Sequence, residues 1–187
     1  MLIDKQMCEE GLRVAGEEHV RQAYASILSG DYEQAIRSFE QAIAAEPGNP
    51  AYHHKCSITC MRSALWTKAL RHAEEAVRLA PEQADYRYHL ASVQARIAAE
   101  EAKGELATAD PDYASVIARL KLALEQDPLL DEAWLLMAAA YGALGRFDEA
   151  ARAAREALRL NPAHDEAKRL FADYRRRHRR KQERRPH

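Results

Sequence analysis

The side chains best suited to metal chemistry in this sequence are His53, Cys56 and Cys60. They stand at i, i+3 and i+7, so a helix would bring all three to one side, where imidazole and thiolate could bind zinc. No fourth ligand stands nearby at a recognisable spacing. Cysteine is also a common small apolar core residue. We therefore expect Cys56 and Cys60 to pack in a core, and we expect neither a metal site nor a cofactor.

The sequence offers no set of residues for catalysis. Its eight histidines are scattered and form no visible nucleophile or acid–base set with Ser, Cys or carboxylates. Paired glutamates at 9–10, 17–18, 74–75 and 100–101 are typical of solvated helix faces. No Gly-rich cluster or Lys-Ser or Lys-Thr pair predicts a phosphate-binding loop. We expect no catalytic residues and no enzymatic activity.

The most conspicuous charged feature is the basic end of the chain. Residues 175–187 contain eight Arg or Lys and one Glu, which gives them a local charge of +7. Because the net charge of the whole chain is −1, residues 1–174 carry a charge of −8. Such a run could bind phosphate backbones or an acidic surface, or it could be a solvated helix end that balances an acidic body. No aromatic residues interleave with it to stack bases, which favours the second interpretation. The candidate basic residues are Arg175, Arg176, Arg177, Arg179, Arg180 and Lys181.

Composition indicates a folded, helix-rich, water-soluble chain. Hydrophobic residues make up 47% and charged residues 30% of the 187 residues, with only seven Gly and seven Pro. No window approaches the roughly 18 continuous apolar residues of a membrane span, and the N-terminus carries acids where a signal peptide needs an apolar core. Three cysteines without framework spacing fit a reducing compartment. We expect a cytoplasmic protein that does not interact with membranes.

An internal repeat organises the chain. One set of six residues near the N-terminal end recurs in register near the C-terminal end. The first set is Gly30, Tyr32, Ala35, Phe39, Ala42 and Pro47, and the second is Gly145, Phe147, Ala150, Ala154, Ala157 and Pro162. A weaker copy lies between them and contains Trp66, Ala69, Ala73, Ala76 and Pro81. Pro47 and Pro81 are 34 residues apart, as are Pro128 and Pro162, whereas Pro81 and Pro128 are 47 apart. The third unit therefore carries about 13 extra residues.

Spacing within each unit predicts two amphipathic helices and a turn. Apolar residues recur at steps of three and four, as in Ile36, Phe39 and Ile43. Gly30 and Gly145 stand between the paired helices, where glycine tolerates the left-handed backbone that ends a helix. A proline stops each second helix. One pair alone cannot bury its apolar face, so the pairs must stack.

The last full unit resembles the tetratricopeptide-repeat (TPR) family. Trp134, Tyr141, Ala150, Ala157 and Pro162 match the family pattern of Trp, Leu-Gly, Tyr, Ala, Phe, Ala and Pro. Met137, Ala138 and Ala154 replace its Leu, Gly and aromatic residue. The resemblance covers roughly residues 16–162. It implies an all-α, right-handed α-solenoid of about four TPR helix pairs, the third with an insert, plus a C-terminal capping helix.

Predicted boundaries follow from the repeat. We expect an N-terminal cap over 1–15, in which residues 4–13 could form a short helix, and repeat units over 16–49, 50–83, 84–130 and 131–162. A C-terminal solvating helix over 163–180 and a basic tail over 181–187 follow. In the first unit His19, Gln22 and Ser26 stand at the family's Trp, Leu and Tyr places, and its inward face is expected at Val20, Ala23 and Ile27. In the third unit the first helix is expected from near Glu82 to Lys103, with Gly104 as its stop and Asp110-Pro111 before the next helix.

The first helix of each pair is expected to line a concave peptide-binding groove. The predicted groove residues are Val20, Tyr24, Ile27, His54, Ile58, Met61, Tyr88, Ser92, Leu135 and Ala139. This mostly apolar set suits a peptide or helical segment of another protein. The leading hypothesis is thus a protein-interaction scaffold or adaptor. Binding of nucleic acid or an anionic surface by the basic tail is the alternative, and apolar surface at an array end could also support a homodimer.

Overall fold

A computed structural model describes residues 2–183, with side chains from residue 10 onward. Within that range the chain forms nine α-helices and no strand, which confirms the all-α class. The helices are α1 (Leu2–Leu28), α2 (Tyr32–Ala45), α3 (Pro50–Arg62), α4 (Trp66–Leu79), α5 (Ala84–Leu106), α6 (Tyr113–Gln126), α7 (Asp131–Ala143), α8 (Phe147–Leu160) and α9 (Asp165–Glu183). In the described part of the chain, no helix combines the length and apolarity that a bilayer crossing requires.

The helices pack as successive antiparallel pairs within two compact units. The first unit covers Met1–Val93 and the second Gln94–His187, with α5 contributing residues to both. In the first unit α1 packs on α2, α2 on α3, and α3 on α4. In the second unit α6 packs on α7, α7 on α8, and α8 on α9. Each unit is thus a stack of helix pairs, the solenoid arrangement that the repeat predicts.

The tight turns inside three pairs share one backbone geometry. Gly30 and Gly145 adopt φ of +81° and +66°, as expected for glycines that end a helix. Each N–H donates to the carbonyl three residues earlier, at 3.0 Å for Gly30 to Ile27 and 3.1 Å for Gly145 to Gly142. In the weaker copy Ala64 takes the same place, with φ of +55°. An alanine in this region is strained, because its Cβ crowds the following carbonyl.

Small side chains fill the interior of both units. Alanine is the commonest buried apolar residue in the described range, and Ala35, Ala69 and Ala150 are fully buried, as the repeat predicts. Phe39 is the largest fully buried side chain of the first unit, and Leu120 is the largest of the second. Because alanines let helix axes approach closely, few large residues complete the packing.

Three helices are longer than the sequence predicts, and one of them, α9, continues to Glu183 beyond its expected end at residue 180. Residues 4–13 form no separate helix, because α1 runs unbroken from Leu2 to Leu28. The expectation that Gly104 stops α5 is also wrong, since the helix continues to Leu106. Ala102 is fully buried in the second unit, and α6 holds this end through Arg119, whose guanidinium lies 3.0 Å from Glu101 and 3.6 Å from Glu105. These tertiary contacts outweigh the weak helix propensity of one glycine.

The C-terminal helix is docked on the last pair. The ring of Tyr174 is 8% exposed and lies against α7 at Gly142. A Cβ added to Gly142 would lie 2.5 Å from Cζ of that ring. Phe147 of α8 stacks on Tyr174, with 6.3 Å between ring centroids. The expected capping helix is therefore held by a specific aromatic contact as well as by a general apolar stripe.

Replacing Ala64 with Gly should stabilise the protein. The substitution relieves the left-handed strain at φ +55° and should raise the free energy of unfolding by about 0.5–1 kcal/mol. As a control, Ala118→Gly on the exposed side of α6 should lower it by about 1 kcal/mol. Urea unfolding followed by circular dichroism measures both. Destabilisation by Ala64→Gly would contradict the strain.

Replacing Gly142 with Ala should loosen α9. Although alanine favours helices, its Cβ would collide with the Tyr174 ring, and we expect a loss of about 1–3 kcal/mol. Gly104→Ala is the matched control, because no atom lies within 4 Å of a Cβ there, and it should stabilise by up to about 1 kcal/mol. Hydrogen exchange of α9 amides reports the loosening. Equal protection in the two variants would argue against the docked ring.

Candidate peptide-binding surface

Eight predicted groove residues lie in the first unit, on first helices. Val20, Tyr24 and Ile27 are on α1, His54, Ile58 and Met61 on α3, and Tyr88 and Ser92 on α5. All eight are partly or largely accessible. Of the expected inward residues of α1, only Ala23 is fully buried, so Val20 and Ile27 remain half-exposed.

Tyr24 connects the first two helices of this surface. Its ring is 46% exposed, and its edge packs against Phe39 with 5.9 Å between centroids. The ammonium group of Lys55 on α3 lies 5.6 Å from the Tyr24 centroid, within cation–π range. The phenol is thus fixed on one side by the core and open to solvent on the other.

His54 connects α3 to α5 in the same unit. Its ring lies 4.7 Å from that of Tyr86 and 4.9 Å from that of His89, centroid to centroid. Burial lowers the pKa of His54. Tyr88 stands next to His89 in the sequence and one helical turn before Ser92. Its side chain is 56% exposed. The structure therefore places an accessible aromatic group at each end of this three-helix surface.

The other two predicted groove residues lie in the second unit. Leu135 and Ala139 on α7 line a cleft of about 450 Å³ formed with α5 and α9. Leu136 and Leu170 add apolar wall to it. The cleft is large enough for several side chains of a ligand.

An ion-pair network that the sequence analysis missed borders this cleft. Glu132 of α7 accepts from Arg96 at 2.6 Å and from Lys103 at 3.0 Å, and both cations lie on α5. The Glu132 side chain is 27% exposed. Arg96 and Lys103 stand seven residues apart, on one face of α5. In the sequence, the spacing of these two cations was the one sign of a shared ion pair, and it does not identify Glu132 as their partner.

Two buried histidines pair inside the first unit. Nδ1 of His53 lies 3.2 Å from Nδ1 of His72, and Nε2 of His53 lies 3.2 Å from the carbonyl oxygen of Pro47. His53 Nε2–H must donate to that carbonyl, so His53 Nδ1 accepts and His72 Nδ1–H donates. His72 Nε2 is left as a buried acceptor without a partner among the described residues. Burial lowers the pKa of His72 to about 4.

A serine joins a further buried histidine to two helices. Ser57 Oγ donates to the carbonyl of Ala69 at 2.7 Å, so it accepts from Nε2–H of His89 at 2.8 Å. This arrangement links α5, α3 and α4. Burial lowers the pKa of His89 to about 4. The two bonds use both the donor and the acceptor capacity of the Ser57 hydroxyl, so the buried N–H of His89 has a partner in the core.

The expected core position of Cys56 and Cys60 is confirmed. Both side chains are fully buried, and both are free thiols. The hydrogen bond with Cys60, together with burial, raises the pKa of the Cys56 thiol. His53 turns toward His72 instead of toward the thiols. Among the described residues, no three or more His, Cys, Asp or Glu side chains are grouped to hold a metal ion.

The predicted basic residues all lie on α9, and several contact the protein itself. The guanidinium groups of Arg176 and Arg177 lie 3.0 and 2.6 Å from Asp173. Lys181 donates to the carbonyl of Gly145 at 3.0 Å. The two Arg–Asp pairs lie within α9, whereas Lys181 joins the helix to the turn between α7 and α8. The run remains largely exposed to solvent.

Aromatic rings also contact this basic helix. Arg177 and Lys181 each lie 5.8 Å from the ring centroid of Phe147, and Arg175 lies 5.5 Å from that of Phe171. Arg179 and Arg180 remain exposed. The rings come from positions outside the basic run, which is why the sequence shows no interleaved aromatics.

Comparison with known proteins decides the family. Models described as tetratricopeptide repeat match residues 26–97 and 131–164, which together make up more than half of the chain. The chain belongs to the tetratricopeptide-repeat family. Members of this family generally mediate protein–protein interactions and are typically non-enzymatic scaffolds.

Individual proteins and solved structures are similar to this chain to different extents. Serine/threonine-protein phosphatase 5 of Mus musculus is 32% identical over 108 residues, 58% of this chain and 20% of that protein. The chain thus spans about a fifth of that relative's length. MamA AMB-1 is 20% identical, with a TM-score of 0.54 over 91% of this chain and 86% of that one. MamA 41-end from Desulfovibrio magneticus RS-1 is 15% identical, with a TM-score of 0.48 over 89% and 96% of the two chains.

The buried histidines should make stability depend on pH. His72 and His89 have folded-state pKa values of about 4 and an ordinary value of 6.5. Between these values the unfolded chain binds protons that the folded chain does not, so stability is complete above about pH 6.5 and falls as the pH drops toward 4. We expect a loss of up to about 3 kcal/mol per histidine, measured by urea unfolding.

Two variants test this prediction by keeping the N–H donors of the buried histidines while removing the ring nitrogens that take up protons. His72→Asn and His89→Gln each place an amide N–H near the original donor, so the double variant should lose less stability than the natural chain between pH 7.5 and 5. His19→Gln, which removes a half-buried histidine of α1, is the control. If the double variant keeps the full pH dependence, these two side chains are not its source.

Proposed function

We propose that this chain is a protein-interaction module that binds a peptide or helical segment of a partner on the accessible faces of its first helices. The observation that carries the proposal is the pair of accessible phenols on the first unit, Tyr24 and Tyr88, 46% and 56% exposed. Tyr24 is held by Phe39 and Lys55, and an aromatic group restrained in this way loses little entropy on binding. Exposed aromatic groups such as Tyr88 dominate many interfaces.

The chemistry of the surface supports an apolar ligand. Ile58 and Met61 lie half-exposed on α3 between the helices that carry the two tyrosines. Methionine adapts its shape to different side chains. An amphipathic helix or an extended segment with apolar side chains fits such a face better than a strongly charged peptide does. The proposal assigns no catalytic step to the chain.

A randomised peptide library displayed on phage, selected against the full chain, tests the proposal. Selected peptides should be rich in apolar residues, and the double variant Tyr24→Ala, Tyr88→Ala should bind them about tenfold more weakly, since truncation of an aromatic contact residue costs about 1–2 kcal/mol. Fluorescence anisotropy with the labelled peptide measures the affinity.

Leu28→Ser, Leu65→Ser is the matched control variant. These leucines belong to the same unit and are 89% and 42% exposed, but they lie at the turns between paired helices. Their replacement should leave peptide affinity within about twofold, because surface contacts outside an interface contribute little. Equal affinities in the tyrosine variant and the natural chain would place the binding site elsewhere.

A further inference from the structure

The second unit contains a basic cleft that the groove does not use. It lies between α8 and α9, has a volume of about 550 Å³, and is lined by Arg152, Arg155, Phe171, Arg175 and Arg179, with Ala151. The α8 residues are spaced by three and four positions, and so are the α9 residues, so each set forms one face of its helix. The cleft is thus built from two helix faces turned toward each other.

Its charge is strongly one-sided. Asp148 is the carboxylate that lines the cleft, and it pairs with Arg152 on the same helix. Arg155 lies 4.0 Å from Glu156. In the described range, no carboxylate pairs with Arg175 or Arg179. Three guanidinium groups therefore remain weakly compensated or uncompensated around one cavity, which favours an anionic ligand.

An apolar surface lies among these charges. Ala151 is 9% exposed, and its small side chain leaves room above α8. Phe171 lies half-buried on the opposite wall. The guanidinium of Arg175 lies 5.5 Å from the Phe171 ring centroid, so positive charge and apolar surface adjoin on this wall. A ligand with carboxylates around an apolar side chain matches both the charge and the surface.

We propose that the α8–α9 cleft is a second docking site, which binds an acidic peptide segment of a partner protein with an apolar side chain seated between Ala151 and Phe171. Guanidinium groups suit this role because they bind carboxylates in bidentate geometry. The site is independent of the first-helix surface, so a partner could engage either one alone.

The probe for this site is a short fluorescein-labelled peptide of Asp and Glu with one central Phe. The full chain should bind it, and the triple variant Arg155→Gln, Arg175→Gln, Arg179→Gln should bind it about tenfold more weakly, the effect expected from three exposed charge pairs together. Replacing the central Phe of the peptide by Ser should also weaken binding. Circular dichroism verifies the fold of the variant.

The control variant removes the same charge outside the cleft. Arg159→Gln, Arg169→Gln, Arg180→Gln likewise changes one arginine of α8 and two of α9, all exposed and none lining the cleft. It should bind the acidic peptide within about twofold of the natural chain. Equal weakening in both triple variants would overturn the proposal in favour of diffuse attraction. If the cleft variant fails to fold, Arg179→Gln alone, which breaks no ion pair, should still weaken binding about twofold.

Three further outcomes would overturn the proposal. Tighter binding of a single-stranded uridine homopolymer of equal charge, lost in the cleft variant, would assign the cleft to nucleic acid. Self-association of the natural chain in sedimentation, absent in the cleft variant, would identify a second copy as the occupant. Loss of acidic-peptide binding in Tyr24→Ala, Tyr88→Ala would move the peptide to the first-helix surface. Retained binding in that variant supports the cleft, whatever the outcome of the phage selection.

Discussion

Close approach of helices through alanine is the constraint on which this structure depends. Ala35, Ala69 and Ala150 occupy equivalent places in three pairs and are fully buried. A larger side chain there would separate the paired helices, while no pair by itself buries enough apolar surface to be stable. Stability is therefore shared between neighbours. Within the second unit α9 covers the last pair by placing Tyr174 on Gly142.

Packing with such small residues restricts where function can lie. The second helix of a pair uses its alanine face for the interior, which leaves its charged face to solvent and to ion pairs such as Arg37 with Glu33. The first helices α3 and α7 pack on the preceding helix as well as on their own partner, and each keeps a partly accessible strip. Tyr24 illustrates the consequence, since its ring edge contacts Phe39 in the core while nearly half of its surface faces solvent. Rigid, partly exposed aromatics are thus a product of the packing itself.

How far the sequence predicts this structure depends on the range of each contact. Helix pairs, turns and the burial of Cys56 and Cys60 follow from local periodicity and from glycine and proline chemistry. The His53–His72 and Ser57–His89 contacts span 19 and 32 residues, and no local pattern announces them. The end of α5 was misjudged because Gly104 carries a local signal that a tertiary contact overrides. Ala64 shows the opposite case, in which the fold imposes a glycine geometry on an alanine.

The polar interior of the first unit also bears on the surface that we propose for peptide binding. His54 and His89 contact each other, and His89 reaches through Ser57 to the carbonyl of Ala69 on α4. Hydrogen bonds restrict helix positions more than apolar contacts do, because they have directional geometry. The 2.8 Å contact between Ser57 and His89 therefore helps to fix the spacing between α3 and α5. Replacing this ring is therefore expected to change the spacing of the two helices that carry part of the proposed peptide-binding surface.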